Sequence, residues 1–177
     1  MDPNISNQGE IQTTQSTQAE ILAQQPLPPK KSNKKIVITS GYFNPLHIGH
    51  INLIRDAKKL GDFLIVIVNN DKQVKIKGST SFMPEKERME IIKAIKYVDD
   101  IFLSIDKTGG QEESLEALAK KYKSHKLFFA KGGDRNIDNL PPEERKVCEE
   151  FQIEIVNSVG GGKVQSSSWL LKNIKNI

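Results

Sequence analysis

Phe63-Leu64-Ile65-Val66-Ile67-Val68 is apolar at every position. A strand without a polar face must be covered on both sides, the situation of a central strand in a parallel sheet flanked by helices. Six residues also fall far short of the eighteen or more that a membrane-spanning helix needs, and no longer apolar run occurs. N-terminal to this strand lie a short β-rich run, Ile36–Thr39, a glycine-containing turn, and a stripe of Ile51, Leu53, Ile54 and Ala57 that predicts a helix over His50–Leu60, stopped by Gly61. On the other side, Pro84 opens a segment in which Met89, Ile91, Ile92, Ile95 and Val98 recur at helical spacing, with Glu85 and Glu87 where a helix dipole favours acids. Strands are then expected over Ile101–Ile105, Lys126–Ala130 and Ile153–Val156, and helices over Glu112–Tyr122, Pro142–Phe151 and Ser166–Ile174. Five strands alternating with five helices, joined by right-handed crossovers, predict an α/β fold: a doubly wound five-stranded parallel sheet with helices on both faces. Ligands of such sheets bind outside the carboxyl ends of the strands.

The first 35 of the 177 residues differ from the rest: eight are apolar, none is aromatic, and Gln, Asn, Thr and Pro abound. Such a segment buries too little surface to offset its ordering entropy, so residues 1–35 are expected to form a disordered tail before one folded domain, 36–177. No base precedes Lys30, which fits neither a secretory signal nor an Arg-rich transit peptide, and a cytoplasmic location is expected. The net charge of +4 conceals +7 over residues 30–177. A basic domain suits nucleic acid, an anionic surface or a small polyanion; the aromatic interleaving of a stacking platform is absent, which disfavours nucleic acid. Cys148 is the single cysteine, so internal disulfides and multi-cysteine metal sites are excluded, and Lys-Val-Cys-Glu-Glu reads as helix filler.

The chemistry-bearing turn follows the first strand: Gly41-Tyr42-Phe43-Asn44-Pro45-Leu46-His47-Ile48-Gly49-His50 holds two of the three histidines. Gly41 and Gly49 permit close backbone approach, Pro45 stiffens the turn, and the helix start adds free N–H donors, so the segment reads as an anion site suited to phosphates. Imidazoles there can donate to charge developing on a phosphoryl oxygen. Lys75 and Lys77 before Gly78 read as a loop placing two ammonium groups on one triphosphate. Gly132 and Gly133 let a strand end pass beneath a base or ribose, with Asp134 accepting from a hydroxyl or amino group. Ser166, Ser167 and Ser168 follow a run of glycines at a helix start, where hydroxyls and N–H groups converge on anionic oxygens, one of them serving as cap. Arg88 reads as a partner for a phosphate or a neighbouring Asp, and Trp169 as packing beneath the last helix.

The turn resembles the Gly-x-Phe-Asp-x-x-His-x-Gly-His signature of the cytidylyltransferase-like nucleotidyltransferases, with Asn44 where Asp is usual. The resemblance extends along the domain. Lys75-Ile76-Lys77-Gly78 is similar to the family's basic phosphate loop, Pro84-Glu85-Lys86-Glu87-Arg88 to its Arg-bearing segment, Lys131-Gly132-Gly133-Asp134 to a form found in heptose-phosphate adenylyltransferases, and Gln165-Ser166-Ser167-Ser168 to its triphosphate-binding helix start; Lys163 and Val164 depart from the usual preceding residues. This likeness implies a Rossmann-like fold and transfer of a nucleoside monophosphate from CTP or ATP to a small phosphate-bearing acceptor, releasing pyrophosphate. It assigns His47 and His50 to the α and β phosphates, Lys75 and Lys77 to acceptor and nucleotide phosphates, and the three serines to the β and γ phosphates. Gly41, Tyr42, Phe43, Asn44, Gly49, Arg88, Gly132, Gly133 and Asp134 complete the implied nucleotide site. Mg²⁺ is expected on the triphosphate, with no protein metal site. The acceptors implied are glycerol 3-phosphate, phosphoethanolamine, phosphocholine and sugar phosphates, with flavin and nicotinate mononucleotides more distant. The alternative is a catalytically silent binding module of the same fold, and the resemblance allows a homodimer.

Overall fold

Alternation along the buried strands divides their side chains between two layers. In the computed structural model, which describes residues 33–133, 140–162 and 164–174, the order is β1 (Lys35–Gly41), α1 (Ile48–Lys58), β2 (Phe63–Val68), α2 (Asp71–Ile76), α3 (Glu85–Lys93), β3 (Asp100–Leu103), α4 (Glu112–Lys121), β4 (Lys126–Gly132), α5 (Pro142–Glu150), β5 (Glu154–Val159) and α6 (Ser167–Ile174). Ile36, Ile38, Ile65, Ile67 and Phe129 pack on one side against Leu115 and Leu118 of α4 and Cys148 of α5. Val37, Leu64, Val66 and Val68 pack on the other against Leu53, Ile54 and Ala57 of α1 and Ile92 of α3. Each buried aliphatic side chain contributes about 1.5–3 kcal/mol of transfer free energy, so β2, with five fully buried residues, anchors both layers. A charge placed at Ile65 would face the α4 layer with no partner.

All strand pairs are parallel, in the order β3-β2-β1-β4-β5. The chain therefore winds outward from β1 to β3 and returns past it to β4, so the crevice lies between the carboxyl ends of β1 and β4. The expected fold class is the observed one. Of the expected tail over residues 1–35, residues 1–32 lie outside the described residues, as do Asp134 and Lys163, and Lys35 already belongs to β1.

Two differences bear on the site. Residues 71–76 form a helix that takes in Lys75 and Ile76 of the expected 75–78 loop: Asn70 Oδ1 accepts from Gln73 N–H at 2.9 Å and Gln73 Oε1 accepts from Asn70 N–H at 3.1 Å. That reciprocal capping, with an amide in place of the usual Glu, stabilises a helix too short to show a periodic stripe. β5 continues to Val159 instead of ending at Val156, because the β4–β5 register slips by one residue between Ala130 and Gly132 and Ser158 takes a positive φ of 58°. The bulge puts polar Asn157 and Ser158 inside a strand, which hides its end from a hydrophobic pattern.

Candidate active site

The crevice holds a cavity of about 220 Å³. His47 and His50 border it at the start of α1, their rings stacked with centroids 3.7 Å apart and 22° between planes. The turn that places them is built from behind. Phe43, fully buried and at φ 50°, packs edge-on against His50 with centroids 4.9 Å apart. Its ring folds back beneath Gly41, where a Cβ would stand 2.7 Å from a ring carbon, so only glycine fits above it. Asn44, 3% exposed, takes no part in the cavity. Its Oδ1 accepts from Phe82 and Met83 N–H at 2.8 and 3.0 Å and its Nδ2 donates to Thr80 O at 2.8 Å, clamping the 80–83 loop to the turn.

Arg88 is likewise internal, with no exposed surface. Its guanidinium donates to the carbonyls of Met83, Tyr42 and Asn69 at 3.0, 2.8 and 2.6 Å and to Asp71 Oδ1 at 2.7 Å. Of the two partners the sequence left open, phosphate or neighbouring Asp, the structure supplies Asp71. Burial opposes ionisation of Asp71, but hydrogen bonds from Arg88, the Glu85 N–H and the Ser81 hydroxyl outweigh it and hold its carboxyl below the usual value. Arg88 thus ties the ends of β1 and β2 together and positions the histidine turn.

Both imidazoles are biased towards their neutral form. Burial, then the charges of His47 and Lys77, lower His50 to about 3; burial also lowers His47. His50 Nδ1 accepts from His47 N–H at 3.3 Å, which assigns the ring proton to Nε2. A neutral imidazole held as an Nε2–H donor can hydrogen-bond an anionic oxygen without giving up a proton.

Lys77 borders the cavity with its Nζ 4.2 Å from the Tyr42 ring centroid, a cation–π contact that keeps the ammonium at the mouth. Lys75 does not join it: it lies exposed on α2, outside the cavity lining, because the helix turns the two lysines apart where a loop would have kept them together. The three serines separate similarly. Ser166 Oγ accepts from Trp169 N–H at 3.2 Å as the cap of α6, Ser168 is exposed, and Ser167 borders the cavity while its hydroxyl donates to Pro45 O at 2.9 Å. That bond latches α6 to the histidine turn. Trp169 is 46% exposed, against the expectation of packing under α6. Gly49, Gly132 and Gly133 border the cavity, as do the glycines 160–162 after β5. Gly160, at φ 87°, lies so close to α1 that a Cβ would approach the Leu53 backbone to 2.7 Å.

The opposite end of the cavity was missed by the sequence reading. It holds Gln111 at the start of α4, Lys131 at the end of β4 and Glu144 of α5, with Lys131 Nζ 2.9 Å from Glu144 Oε2 and the two side chains 4% and 2% exposed. Lys131 was legible only as part of the glycine motif; Glu144 sits in a helix whose other acids are surface residues, and no local pattern sets it apart. Cys148, one turn further, is buried, and desolvation followed by the Glu144 charge pushes its thiol up to about 12, which makes it inert packing.

Residues 38–170 match the cytidylyltransferase-like family model. An FAD synthase of Pyrococcus abyssi (strain GE5 / Orsay) is 40% identical over 126 residues, 70% of this chain and 80% of that protein. The bifunctional protein HldE of Desulfatibacillum aliphaticivorans is 34% identical over 149 residues; the match takes in 83% of this chain but only 28% of HldE. Among solved structures, the lipopolysaccharide core biosynthesis protein from Thermoplasma volcanium GSS1 superposes with a TM-score of 0.55 at 26% identity, covering 71% of this chain and 96% of that one.

Proposed function

The chain belongs to the cytidylyltransferase-like family of nucleotidyltransferases, and from that membership we propose that it transfers an adenylyl group from ATP to the phosphate of a small acceptor, in the cytosol. FAD is FMN joined to AMP through a pyrophosphate, so the likeness to an FAD synthase favours ATP over CTP and brings FMN forward from a distant option to the first candidate acceptor. The observation that carries the reading is the pair of neutral, stacked histidines on the β1–α1 turn, with His50 Nε2–H as donor, facing Lys77 and Ser167 across one cavity.

In the proposed reaction an acceptor phosphate oxygen attacks the α-phosphorus in line. The new bond joins that oxygen to the α-phosphorus, the bond to the α–β bridging oxygen breaks, and pyrophosphate leaves with the electron pair. His47 and His50 donate to the α and β phosphates as charge gathers there, Lys77 supplies a fixed cation, and the α6 start with Ser167 holds the outer phosphates. No protein nucleophile is required.

Among the described residues no group of three or more His, Cys, Asp and Glu could cage a metal, and the phosphate end offers imidazole, ammonium and hydroxyl. That donor set fits Mg²⁺ carried in on the triphosphate, ligated by phosphate oxygens and water, where it neutralises phosphate charge. Asn44 bears on the silent-module alternative: its clamp on the 80–83 loop is structural, so the change from Asp removes no carboxylate from the cavity. No described helix is long and apolar enough to cross a membrane.

A pyrophosphate-release assay with ATP or CTP, Mg²⁺ and FMN, glycerol 3-phosphate, phosphocholine or a sugar phosphate tests the proposal. Release from ATP that needs both an acceptor and the two histidines supports it. Release from CTP alone would reassign the donor, and no release from any pair would return the silent module to first place.

A further inference from the structure

Tyr42, just past β1, and Lys77, at the end of α2, come from separate elements and meet at the mouth of the cavity, which both of them border. The backbone of each is tied down. The Tyr42 carbonyl accepts from the buried Arg88 guanidinium at 2.8 Å, and the next residue, Phe43, is fully buried. Lys77 N–H closes α2 by donating to Gln73 O at 3.0 Å, and Gly78, at φ 72°, turns the chain towards the 80–83 loop that Asn44 clamps. The soft part of the pair is therefore the lysine side chain. A lysine at an exposed position ordinarily keeps its rotamer freedom and loses it on gripping a phosphate. Lys77 is exposed, yet its Nζ rests 4.2 Å from the Tyr42 ring centroid. Lys75, two residues back in the same helix, is also exposed and lies outside the cavity lining, so a place on α2 does not by itself bring an ammonium to the site.

We propose that Tyr42 is a positioning residue: its ring holds the Lys77 ammonium at the cavity mouth, so that the cation is in place before the triphosphate arrives. The inference rests on the transferase reading above and deepens it. An ammonium has three N–H donors and gives one face to a ring, so the contact can persist while a phosphate oxygen is bound. Binding then does not have to order a four-carbon side chain, and that saving appears as affinity. The Lys77 charge also reaches His50: behind burial and His47, it is among the causes that lower the imidazole to about 3. The ring that carries the ammonium thus sets where the cation acts on the histidine turn. Position 42 is the one that the family signature leaves open between Gly41 and Phe43, so the ring belongs to this chain rather than to the motif.

The test has two arms, both on the full chain. In the first, the Lys77 side-chain methylenes are followed by NMR in lysine-labelled protein without nucleotide, assigned by their loss in Lys77→Met. The ring should shift them upfield in the wild type and in Tyr42→Phe, and the shift should vanish in Tyr42→Leu. In the second, calorimetry measures binding of the Mg²⁺ complex of α,β-methylene ATP. Tyr42→Leu should weaken it roughly three- to tenfold, Tyr42→Phe should restore most of that loss, and adding Tyr42→Leu to Lys77→Met should change affinity by less than about twofold. Losses that add in the double variant would show the ring meeting the nucleotide itself and overturn the inference. So would Tyr42→Phe as weak as Tyr42→Leu, Tyr42→Leu as tight as the wild type, or an absent ring shift; each of these leaves the transferase reading standing. Failure of the wild type to bind the analogue would bring down that reading and the inference with it.

Discussion

The two ends of the cavity handle charge in opposite ways. At the α1 end, neutral imidazoles, the Lys77 ammonium at the mouth and the Ser167 hydroxyl line a space fit for an anion. At the α5 end, an ammonium and a carboxylate are closed on each other in the interior, 2.9 Å apart. The first arrangement holds its imidazoles in the uncharged form, so that no imidazolium has to be desolvated. The second is tolerable only while both partners are present, since a buried charge without its counter-ion is far more costly than either the intact pair or an apolar replacement. The comparison teaches that one cavity wall can hold polar residues in two ways: uncharged donors left open at one end, and charges closed on each other at the other.

Breaking the buried pair should have the largest effect. Glu144→Leu takes away the buried carboxylate that Lys131 is paired with and should destabilise by about 3–5 kcal/mol, a fall in Tm on the order of 10 °C, whereas adding Lys131→Met should recover most of it in the same thermal melt. A single variant as stable as the wild type would show that the pair is not buried in solution. His50→Ala reverses the pattern: loss of a donor to the transition state should lower kcat roughly 10²–10³-fold, with a Tm shift small beside that of Glu144→Leu. A large Tm loss with proportionate activity would make the ring structural. Gly160→Ala, which forces a Cβ against the Leu53 backbone at a positive φ, should cost about 1–3 kcal/mol and weaken ATP binding through the displaced loop, measured by calorimetry.

Titration sharpens the contrast more gently. Because His50 is lowered from 6.5 to about 3, the folded chain binds fewer protons than the unfolded chain between these values. Its contribution is therefore complete above about 6.5 and lost as pH falls towards about 3. Tm should fall more steeply with acid in the wild type than in His50→Gln, and activity between pH 6.5 and 8 should not depend on an imidazolium. Parallel acid profiles for the two proteins would contradict a buried neutral His50. Smallest of all, Lys75→Ala should change activity less than twofold, an estimate resting on its exposed position, while Lys77→Ala should raise the KM for ATP several-fold.

Local patterns carried much of this protein. The unbroken apolar β2, the helical stripes and the Pro and Gly boundaries sufficed for the α/β order, because burial on both faces and dipole-compatible termini leave marks within a few residues of themselves. The His47-x-Gly49-His50 turn was equally legible, since a strand, a glycine turn and a helix start must follow one another in sequence to make it. Short and interrupted elements were not: α2 shows itself only through the Asn70–Gln73 cap, and the end of β5 only through a bulge.

Residue roles divided along the same line. The sequence by itself determined which residues stand on the β1–α1 turn and which chemistry their side chains can perform. Tertiary structure alone decided that Asn44 and Arg88 face inward as clamps, that Lys75 parts from Lys77, and that Lys131, Glu144 and Gln111 meet across the crevice. These outcomes depend on which carbonyls, amides and charges from distant segments converge on each group. A buried polar side chain is defined by those partners, and partners 13 to 46 residues away, as for Lys131 with Glu144 and Arg88 with Tyr42, have no fixed spacing that a linear pattern could reveal.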